Sequence, residues 1–312
     1  MSRTDALELF ASDDLIGIGM EADALRKRLH PEGVVSYALD GPIRYNHATP
    51  EQILNKIAPF IAMGATGITL QGEVSPGLDL PWFEALFRTI RQRFPSLDLH
   101  CLSASEILAI AQHSGLTTHD TIARLRDSGL TSIPGNDAGI LDDAVQQQGA
   151  RQHCKTDDWI AIHRAAHRLG MRTTATMIFG AGETFEHRLN HLEAIRHLQQ
   201  ETGGFTSFTP WSFTPHSTAL RGFEEATAVE YLKTLAISRM YLENIKNFQT
   251  NLETQGLKVL QVALRFGSND AGSVIPPGQL NAATEEQLRQ VIRDAGFKPV
   301  QRDTLYQTMF LH

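Results

Sequence analysis

Polar groups that could bind a small molecule follow predicted strands at three points of this chain. Gln71-Gly72-Glu73 ends one apolar run, Asn136 follows a second, and Glu183 follows a third. Carboxylate, amide and backbone groups of this kind can hold an ammonium group or a ribose hydroxyl. Because the carboxyl ends of parallel strands meet on one face of a barrel, these residues predict a ligand-binding site on that face.

Further candidates for contact with a ligand lie on or after other predicted strands. They are Ser103, Thr174, Thr176, Trp211, Asn269 and Asp270. Thr174 and Thr176 share one strand face by the period of two, and Trp211 offers an aromatic surface on which a ring could stack. The pattern does not single out a catalytic residue among them.

Several of these candidates also have an ordinary structural explanation, which the sequence leaves open. Ser103 could N-cap the helix that begins near Ala104, and Glu183 could stabilise a helix start through the helix dipole. Asn136 is a common turn residue, and Glu73 could be a solvated loop acid. Threonines are favoured in strands whatever they face, and a tryptophan at a strand end could equally belong to the core.

The histidines and cysteines do not predict a metal site. His163 and His167 are four residues apart, but their helix has the pattern of an ordinary amphipathic helix with polar residues outward, and we expect no metal there. Cys101 and Cys154 are the only cysteines and do not make a disulfide framework. Cys101 follows an apolar run and is predicted to be a small core residue.

Composition is typical of an ordinary globular protein. The 312 residues are 42% hydrophobic and 20% charged, with a formal net charge of −7. Acids and bases are interspersed without a block of Lys and Arg, so nucleic acid is not an expected partner. No apolar run approaches the ~18 residues of a membrane span, and the first residues lack a signal-peptide pattern. We therefore expect a cytoplasmic protein without membrane insertion.

The elements that must position the candidate residues alternate between short apolar strands and amphipathic helices. Predicted strands cover 33–40, 67–72, 97–103, 130–134, 172–179, 205–208, 245–249 and 300–303. Predicted helices cover 50–63, 80–94, 104–112, 118–128, 156–169, 184–200, 227–243 and 284–295. Such alternation favours a parallel α/β sheet closed into a (β/α) TIM-like barrel. We expect one domain over 1–312, with an N-terminal helical segment at 1–30 and the barrel with its C-terminal extension at 31–312.

Stretches along most of the chain resemble one family. They are RLHPEGVVSY (28–37), LQGEVSPGLDLPWFEALFRTIRQRFPSLDLH (70–100), GLTSIPGNDAGIL (129–141), HRLGMRTTATMIFG (167–180), GETFEHRLNHLEAIRHLQQETGGFTSFTPWSF (182–213), VEYLKTLAISRMYLENIKNFQ (229–249) and AGFKPVQRDTLY (295–306). Together they resemble the dehypoxanthine futalosine cyclase family of menaquinone biosynthesis, whose members are radical S-adenosylmethionine (SAM) barrels. The resemblance implies a [4Fe–4S] cluster that cleaves SAM, and a radical that cyclises a nucleoside-derived substrate.

The cluster-binding part of that family's pattern is missing. The resemblance calls for Cys-x3-Cys-x2-Cys after the first strand, where this chain has GPIRYNHATPEQI (41–53). Two scattered cysteines give neither the number nor the spacing of thiolates that a cluster needs. Gly139 also stands where the family carries a glutamate that helps to hold SAM. Gln71-Gly72-Glu73, by contrast, resembles the motif that receives the SAM amino group. SAM therefore stays a candidate, whereas the residues do not support the [4Fe–4S] cluster.

Three functional hypotheses remain open. The first is a cluster-less member of the family that binds a futalosine-type nucleoside or related small molecule without cluster-dependent radical chemistry. The second is a non-catalytic partner of a true cyclase, docked onto another enzyme of the futalosine pathway or onto itself. The third is an active radical SAM cyclase with an unconventional cluster. We also expect the barrel opening around 40–47 to be wider, or to be filled by a neighbouring loop or another chain.

Overall fold

The N-terminal segment forms two helices, where the sequence predicts a single helical stretch. The computed structural model describes residues 1–75, 77–146, 154–214, 225–274 and 283–310. Helix α1 (Arg3–Ala11) ends before Ser12, and α2 (Leu15–Leu29) begins after Asp14. The break follows from the side chain of Asp14, which accepts a hydrogen bond from the Gly17 N–H at 2.8 Å and thereby caps a new helix.

Eleven strands are found in the described part of the chain, and all but the last pairing are parallel. They are β1 (Val34–Leu39), β2 (Pro42–Arg44), β3 (Gly67–Gln71), β4 (Asp98–Leu99), β5 (Ser132–Ile133), β6 (Arg172–Phe179), β7 (Phe205–Ser212), β8 (Asn247–Phe248), β9 (Asp270–Val274), β10 (Lys298–Arg302) and β11 (Met309–Phe310). The eight predicted strands are thus present, and β2, β9 and β11 are additions that the pattern did not indicate.

The strands close into a barrel. Three hydrogen-bonded groups run β2-β3-β4, β5-β6-β7-β8 and β9-β1-β10-β11. Single bridges join them, from His100 to Ser132 and from Gln249 to Asp270. The ring closes because β1 pairs with β9, while its continuation β2 pairs with β3. The predicted (β/α) barrel is therefore confirmed.

Helices follow most of the strands and cover the outside of the barrel. Beyond the first two they are α3 (Pro50–Ala62), α4 (Leu80–Arg93), α5 (Ala104–Ser114), α6 (Thr118–Ser128), α7 (Asp143–Gln146), α8 (Thr156–Arg168), α9 (Phe185–Thr202), α10 (Ala228–Tyr241), α11 (Leu252–Ala263) and α12 (Glu285–Asp294). Within the described ranges, none of these helices is long and apolar enough to cross a membrane.

Two of the histidines that the sequence places outward are in fact turned inward. His163 is fully buried and its Nδ1 lies 3.0 Å from the hydroxyl of Thr173, which His167 also contacts through Nε2 at 2.7 Å. His163 packs against Trp159, with ring centroids 4.0 Å apart. The expectation of an outward polar face was wrong because a histidine with a buried hydroxyl partner can occupy the core side of a helix.

The C-terminal extension carries charge into the barrel. Strand β10 lies beside β1, and Arg302 at its end forms a buried ion pair with Asp270, with Nε 2.5 Å from Oδ2. The Arg302 guanidinium also lies over the ring of Tyr306, 3.9 Å from its centroid. A buried pair of this kind is structurally demanding, because either partner alone would be an uncompensated charge.

Candidate ligand-binding site

One wall of the barrel interior keeps partly exposed polar side chains. Along β6 the alternate residues Ala175 and Met177 are buried in the core beneath the helices, whereas Thr174, Thr176 and Ile178 remain partly exposed. Because side chains of a strand alternate between faces, the second set lines the barrel interior. The shared face predicted for Thr174 and Thr176 is confirmed, although ligand contact by either residue stays a prediction.

The two threonines hold the turn that follows β5. The hydroxyl of Thr174 accepts a hydrogen bond from the Gly135 N–H at 2.9 Å, and the hydroxyl of Thr176 donates to the Gly135 carbonyl at 2.7 Å. A Cβ on Gly135 would lie 2.6 Å from the Cα of Ala175, so only glycine fits here.

The next residue of this turn, Asn136, has an unused acceptor. Its Oδ1 is buried and has no hydrogen-bond partner among the described residues. Trp211 on β7 is paired with Ile178 and stays partly exposed beside the same wall. A free amide oxygen, hydroxyls and an indole face are groups that can recognise a ring-bearing, hydroxyl-rich ligand. Asn136 and Trp211 as ligand contacts remain predictions, but the structure places them on one wall.

The turn at the end of β3 is held by residues that sequence reasoning did not select. The N–H of Glu73 donates to Asn46 Oδ1 at 3.1 Å, and Asn46 Nδ2 donates back to the Glu73 carbonyl at 3.1 Å. The N–H of Gly72 donates to Glu106 Oε1 at 2.9 Å, and Gln71 accepts from the Tyr45 N–H. The side chain of Glu73 is exposed, as expected of the solvated loop acid that the sequence left open.

Glu106 is the centre of a buried network at this turn. Its carboxylate accepts hydrogen bonds from the hydroxyl of Tyr45 and from the Ser103 N–H at 2.7 Å. Burial raises the pKa of Glu106, and the hydrogen bonds from Tyr45 and Ser103 oppose that rise. Ser103 caps α5 in a capping box with Glu106. The alternative explanation of Ser103 as an N-cap is therefore confirmed. The Ser-x-x-Glu spacing was a visible signal for Glu106; nothing local in the sequence points to Asn46.

Glu183 is engaged by its own turn. It accepts hydrogen bonds from the N–H groups of Gly180 and Ala181, at 2.8 and 2.9 Å. It also pairs with the buried Arg188, at 2.7 Å. These bonds fix the turn after β6, and they leave the ligand role of Glu183 without support from its geometry.

Asn269 and Asp270 are placed away from the mouth, level with Ser36 in the first half of β1. Asn269 Oδ1 accepts from the Phe248 N–H at 2.8 Å. Asp270 accepts from the hydroxyl of Ser36 at 2.6 Å in addition to its pair with Arg302. Both side chains are therefore occupied by the barrel itself, and their ligand roles stay predictions.

Asp40 is a further interior group that the sequence reasoning missed. It directly follows β1, and burial raises its pKa, while a hydrogen bond from Ser273 and the charge of Arg302 act in the opposite direction. A carboxyl group with a raised pKa at a strand end can carry a proton closer to neutral pH than an ordinary aspartate.

Comparison with known proteins identifies the class to which this barrel belongs. The radical SAM superfamily model matches residues 32–195, and the CofH/MqnC C-terminal region model matches residues 202–311. Methylornithine synthase (PylB) superimposes with a TM-score of 0.74 at 15% identity, covering 96% of this chain and 94% of that one. The hydrogenase maturase HydG from Carboxydothermus hydrogenoformans superimposes with a TM-score of 0.76 at 15% identity, covering 99% of this chain and 78% of that one. These two structures establish the fold alone.

Curated relatives narrow the class. The cyclic dehypoxanthine futalosine synthase of Halalkalibacterium halodurans is 33% identical over 336 residues, covering 98% of this chain and 91% of that protein. The cyclic dehypoxanthine futalosine synthase of Streptomyces coelicolor is 31% identical, and the alignment covers 99% of this chain and 85% of that protein. The 5-amino-6-(D-ribitylamino)uracil–L-tyrosine 4-hydroxyphenyl transferase of Methanothermobacter thermautotrophicus is 37% identical, and the alignment covers 86% of this chain and 77% of that protein. The chain thus belongs to the futalosine cyclase family of the radical SAM superfamily.

This superfamily implies SAM and a [4Fe–4S] cluster, and the thiols of this chain do not fit the cluster. Cys101 donates to the Ile68 carbonyl and accepts from the Leu70 N–H at 3.3 Å, within the core between strand and helices. Burial raises the pKa of Cys101, and raises that of Cys154 to about 12. Both shifts oppose the thiolate that iron requires. The described residues also contain no group of three His, Cys, Asp or Glu side chains that could hold a metal.

Proposed function

We propose that this chain is a cluster-less member of the futalosine cyclase family that binds a futalosine-type nucleoside or a related small molecule in its barrel. It does so without cluster-dependent radical chemistry. The observation that carries the proposal is the connection after the first strand. Only Tyr45–Thr49 separates β2 from α3, and this segment contains no cysteine.

The thiol chemistry supports this proposal. A [4Fe–4S] cluster is bound by several cysteine thiolates close together. The chain has only two cysteines, both buried and each with a raised thiol pKa. The alignment with the Halalkalibacterium halodurans relative runs over 336 residues, which is more than the 312 of this chain. The relative therefore has segments that this chain lacks.

The wall formed by β5, β6 and β7 indicates the class of ligand. Thr174, Thr176 and Trp211 are partly exposed, and each threonine hydroxyl keeps hydrogen-bonding capacity beyond its bond to Gly135. Asn136 adds a buried amide oxygen that has no partner among the described residues. Such a wall can stack a base and hydrogen-bond a sugar, while none of these four groups supplies charge. Nucleosides meet that description better than phosphorylated or strongly acidic ligands do.

Thermal unfolding with a nucleoside panel tests the binding half of the proposal. A ligand that binds only the folded state raises the melting temperature, by an amount set by its concentration relative to its Kd. Adenosine or a futalosine-type nucleoside is expected to raise it for the wild type and less for Asn136→Ala. No shift with any nucleoside would contradict binding and would favour the partner role, which co-purification with an intact cyclase then tests.

A further inference from the structure

The short connection between β2 and α3 packs its own side chains onto the turn at the end of β3. His47 adopts a left-handed backbone conformation, with φ 56°, which lets the chain reverse within this connection. The Ala48 N–H donates to the Tyr45 carbonyl at 3.1 Å and closes the turn. Tyr45 is fully buried against Phe83, with ring centroids 5.4 Å apart, so the segment is anchored in the core.

Asn46 engages both peptide groups of Glu73, the N–H and the carbonyl. Its amide accepts from the Glu73 N–H and donates to the Glu73 carbonyl, both at 3.1 Å. The Gly72 N–H is used by Glu106. A carbonyl oxygen has two lone pairs, so a ligand donor could use only the second one, beside the Asn46 amide that occupies the first.

The space beside Gly72 is also filled. A Cβ on Gly72 would collide with Asn46 Oδ1 and would lie 2.8 Å from the ring of Tyr45. Tyr45 is held in place by the hydrogen bond from its hydroxyl to Glu106, so moving its ring would cost that buried bond. The space beside Gly72 is therefore closed to a ligand by the volume of Asn46 and Tyr45.

We propose that Asn46 is an internal latch that excludes ligands bearing an α-amino acid group from this turn. The barrel then accepts nucleosides without an amino-acid tail and rejects the tailed ones, SAM included. This rests on the proposed nucleoside-binding function. The physical cause is that Asn46 and the Tyr45 ring fill the space beside Gly72, and that the Asn46 amide already uses one of the two lone pairs of the Glu73 carbonyl.

Two nucleosides that differ in the tail provide the test. Isothermal titration compares 5′-methylthioadenosine with S-adenosylhomocysteine on the wild type, Asn46→Asp and Asn46→Ala. The wild type is expected to bind 5′-methylthioadenosine at least about tenfold more tightly, which corresponds to about 1.4 kcal/mol. Asn46→Asp removes the donor to the Glu73 carbonyl and adds a negative charge, so it is expected to reduce that preference about tenfold.

A second asparagine serves as the matched control. Asn244 also donates from its amide to a backbone carbonyl, that of Arg196, at 3.0 Å, but lies on the outside of the barrel. Asn244→Ala is expected to leave the ligand preference unchanged. If the wild type binds S-adenosylhomocysteine as tightly as 5′-methylthioadenosine, or more tightly, the latch is overturned while the nucleoside-binding proposal stands.

If neither nucleoside binds, the proposed function is contradicted, and hydrogen exchange then tests the Asn46 latch without a ligand. The amide of Glu73 is expected to exchange at least about tenfold faster in Asn46→Ala, because the one acceptor that it has among the described residues is removed. Amides of β3 report whether the variant is folded. Unchanged exchange at Glu73 in a folded variant would overturn the latch independently of any ligand.

Discussion

The two sides of the barrel mouth differ in how far their polar groups are satisfied by the chain itself. On the side of β1 to β4, called here the latched half, Tyr45, Asn46 and Glu106 occupy the polar groups of the Gly72-Glu73 turn. On the side of β5 to β7, called here the open wall, Asn136 keeps an unused oxygen and Trp211 stays partly exposed. Satisfied polar groups stabilise a fold, whereas a buried polar group with no partner in the chain is a candidate for contact with a ligand.

The largest expected contrast comes from removing one polar residue on each side. Glu106→Ala leaves the Tyr45 hydroxyl and the Gly72 and Ser103 N–H groups without an acceptor, and should cost about 3 kcal/mol or more. Asn136→Ala removes an oxygen that has no partner in the described part of the chain and should cost about 1 kcal/mol or less. Urea unfolding followed by circular dichroism measures both. Equal costs would erase the distinction between the two sides.

Adding a methyl group to one glycine on each side sharpens the comparison. Gly135→Ala meets the backbone of β6 and should cost about 1–3 kcal/mol, with no side chain able to yield. Gly72→Ala meets side chains of the latched half, so the cost should fall when Asn46→Ala is added. A double-mutant cycle on unfolding free energies checks this. No coupling between Gly72 and Asn46 would contradict the packing described.

The two sides should also respond to pH with opposite signs. Burial lowers the pKa of His167, behind the open wall, to about 4 and that of His191 to about 3. The unfolded chain binds more protons between these values and about 6.5, so the free energy of unfolding falls as pH drops through that window. The expected slope is at most about 1.4 kcal/mol per pH unit for each histidine.

The latched half contributes the opposite trend through Glu106. Burial raises its pKa above that of an unfolded glutamate, so its contribution is present at low pH and is lost as pH rises. Unfolding between pH 4 and 7 should therefore show a shallower loss on acidification for His167→Gln and a steeper one for Glu106→Gln. Identical pH profiles for both variants and the wild type would contradict these burial assignments.

The smallest expected effect is at Thr176. Thr176→Val removes the hydrogen bond to the Gly135 carbonyl and should cost about 1 kcal/mol of stability. If the open wall binds the nucleoside, Thr176→Val should also weaken nucleoside binding more than the matched variant Thr69→Val on β3 does. Titration of both variants measures the difference, and equal affinities would remove Thr176 from the ligand contacts.

The sequence predicted the barrel and the order of its eight main strands because both follow from local patterns, although several strand ends differ by up to four residues. Alternation of strands and helices is enough for the (β/α) ring, and the spacing of Ser103 and Glu106 marks a capped helix. The latched half was not predictable, because the partner of Asn46 lies 27 positions away on another strand end. The expectation of a wider opening around 40–47, or of one filled by a neighbouring loop or another chain, stays a prediction. The structure adds that this connection packs its own Tyr45 and Asn46 against the Gly72-Glu73 turn.

Iron and acid-labile sulfide analysis after anaerobic purification and reconstitution tests the central claim most directly. The proposed function predicts iron and sulfide far below one cluster per chain, with no change when Cys101 and Cys154 are both replaced by alanine. About four irons and four sulfides per chain, lost on those replacements, would show that the two buried thiols hold a cluster. That result would contradict the proposal of a cluster-less barrel.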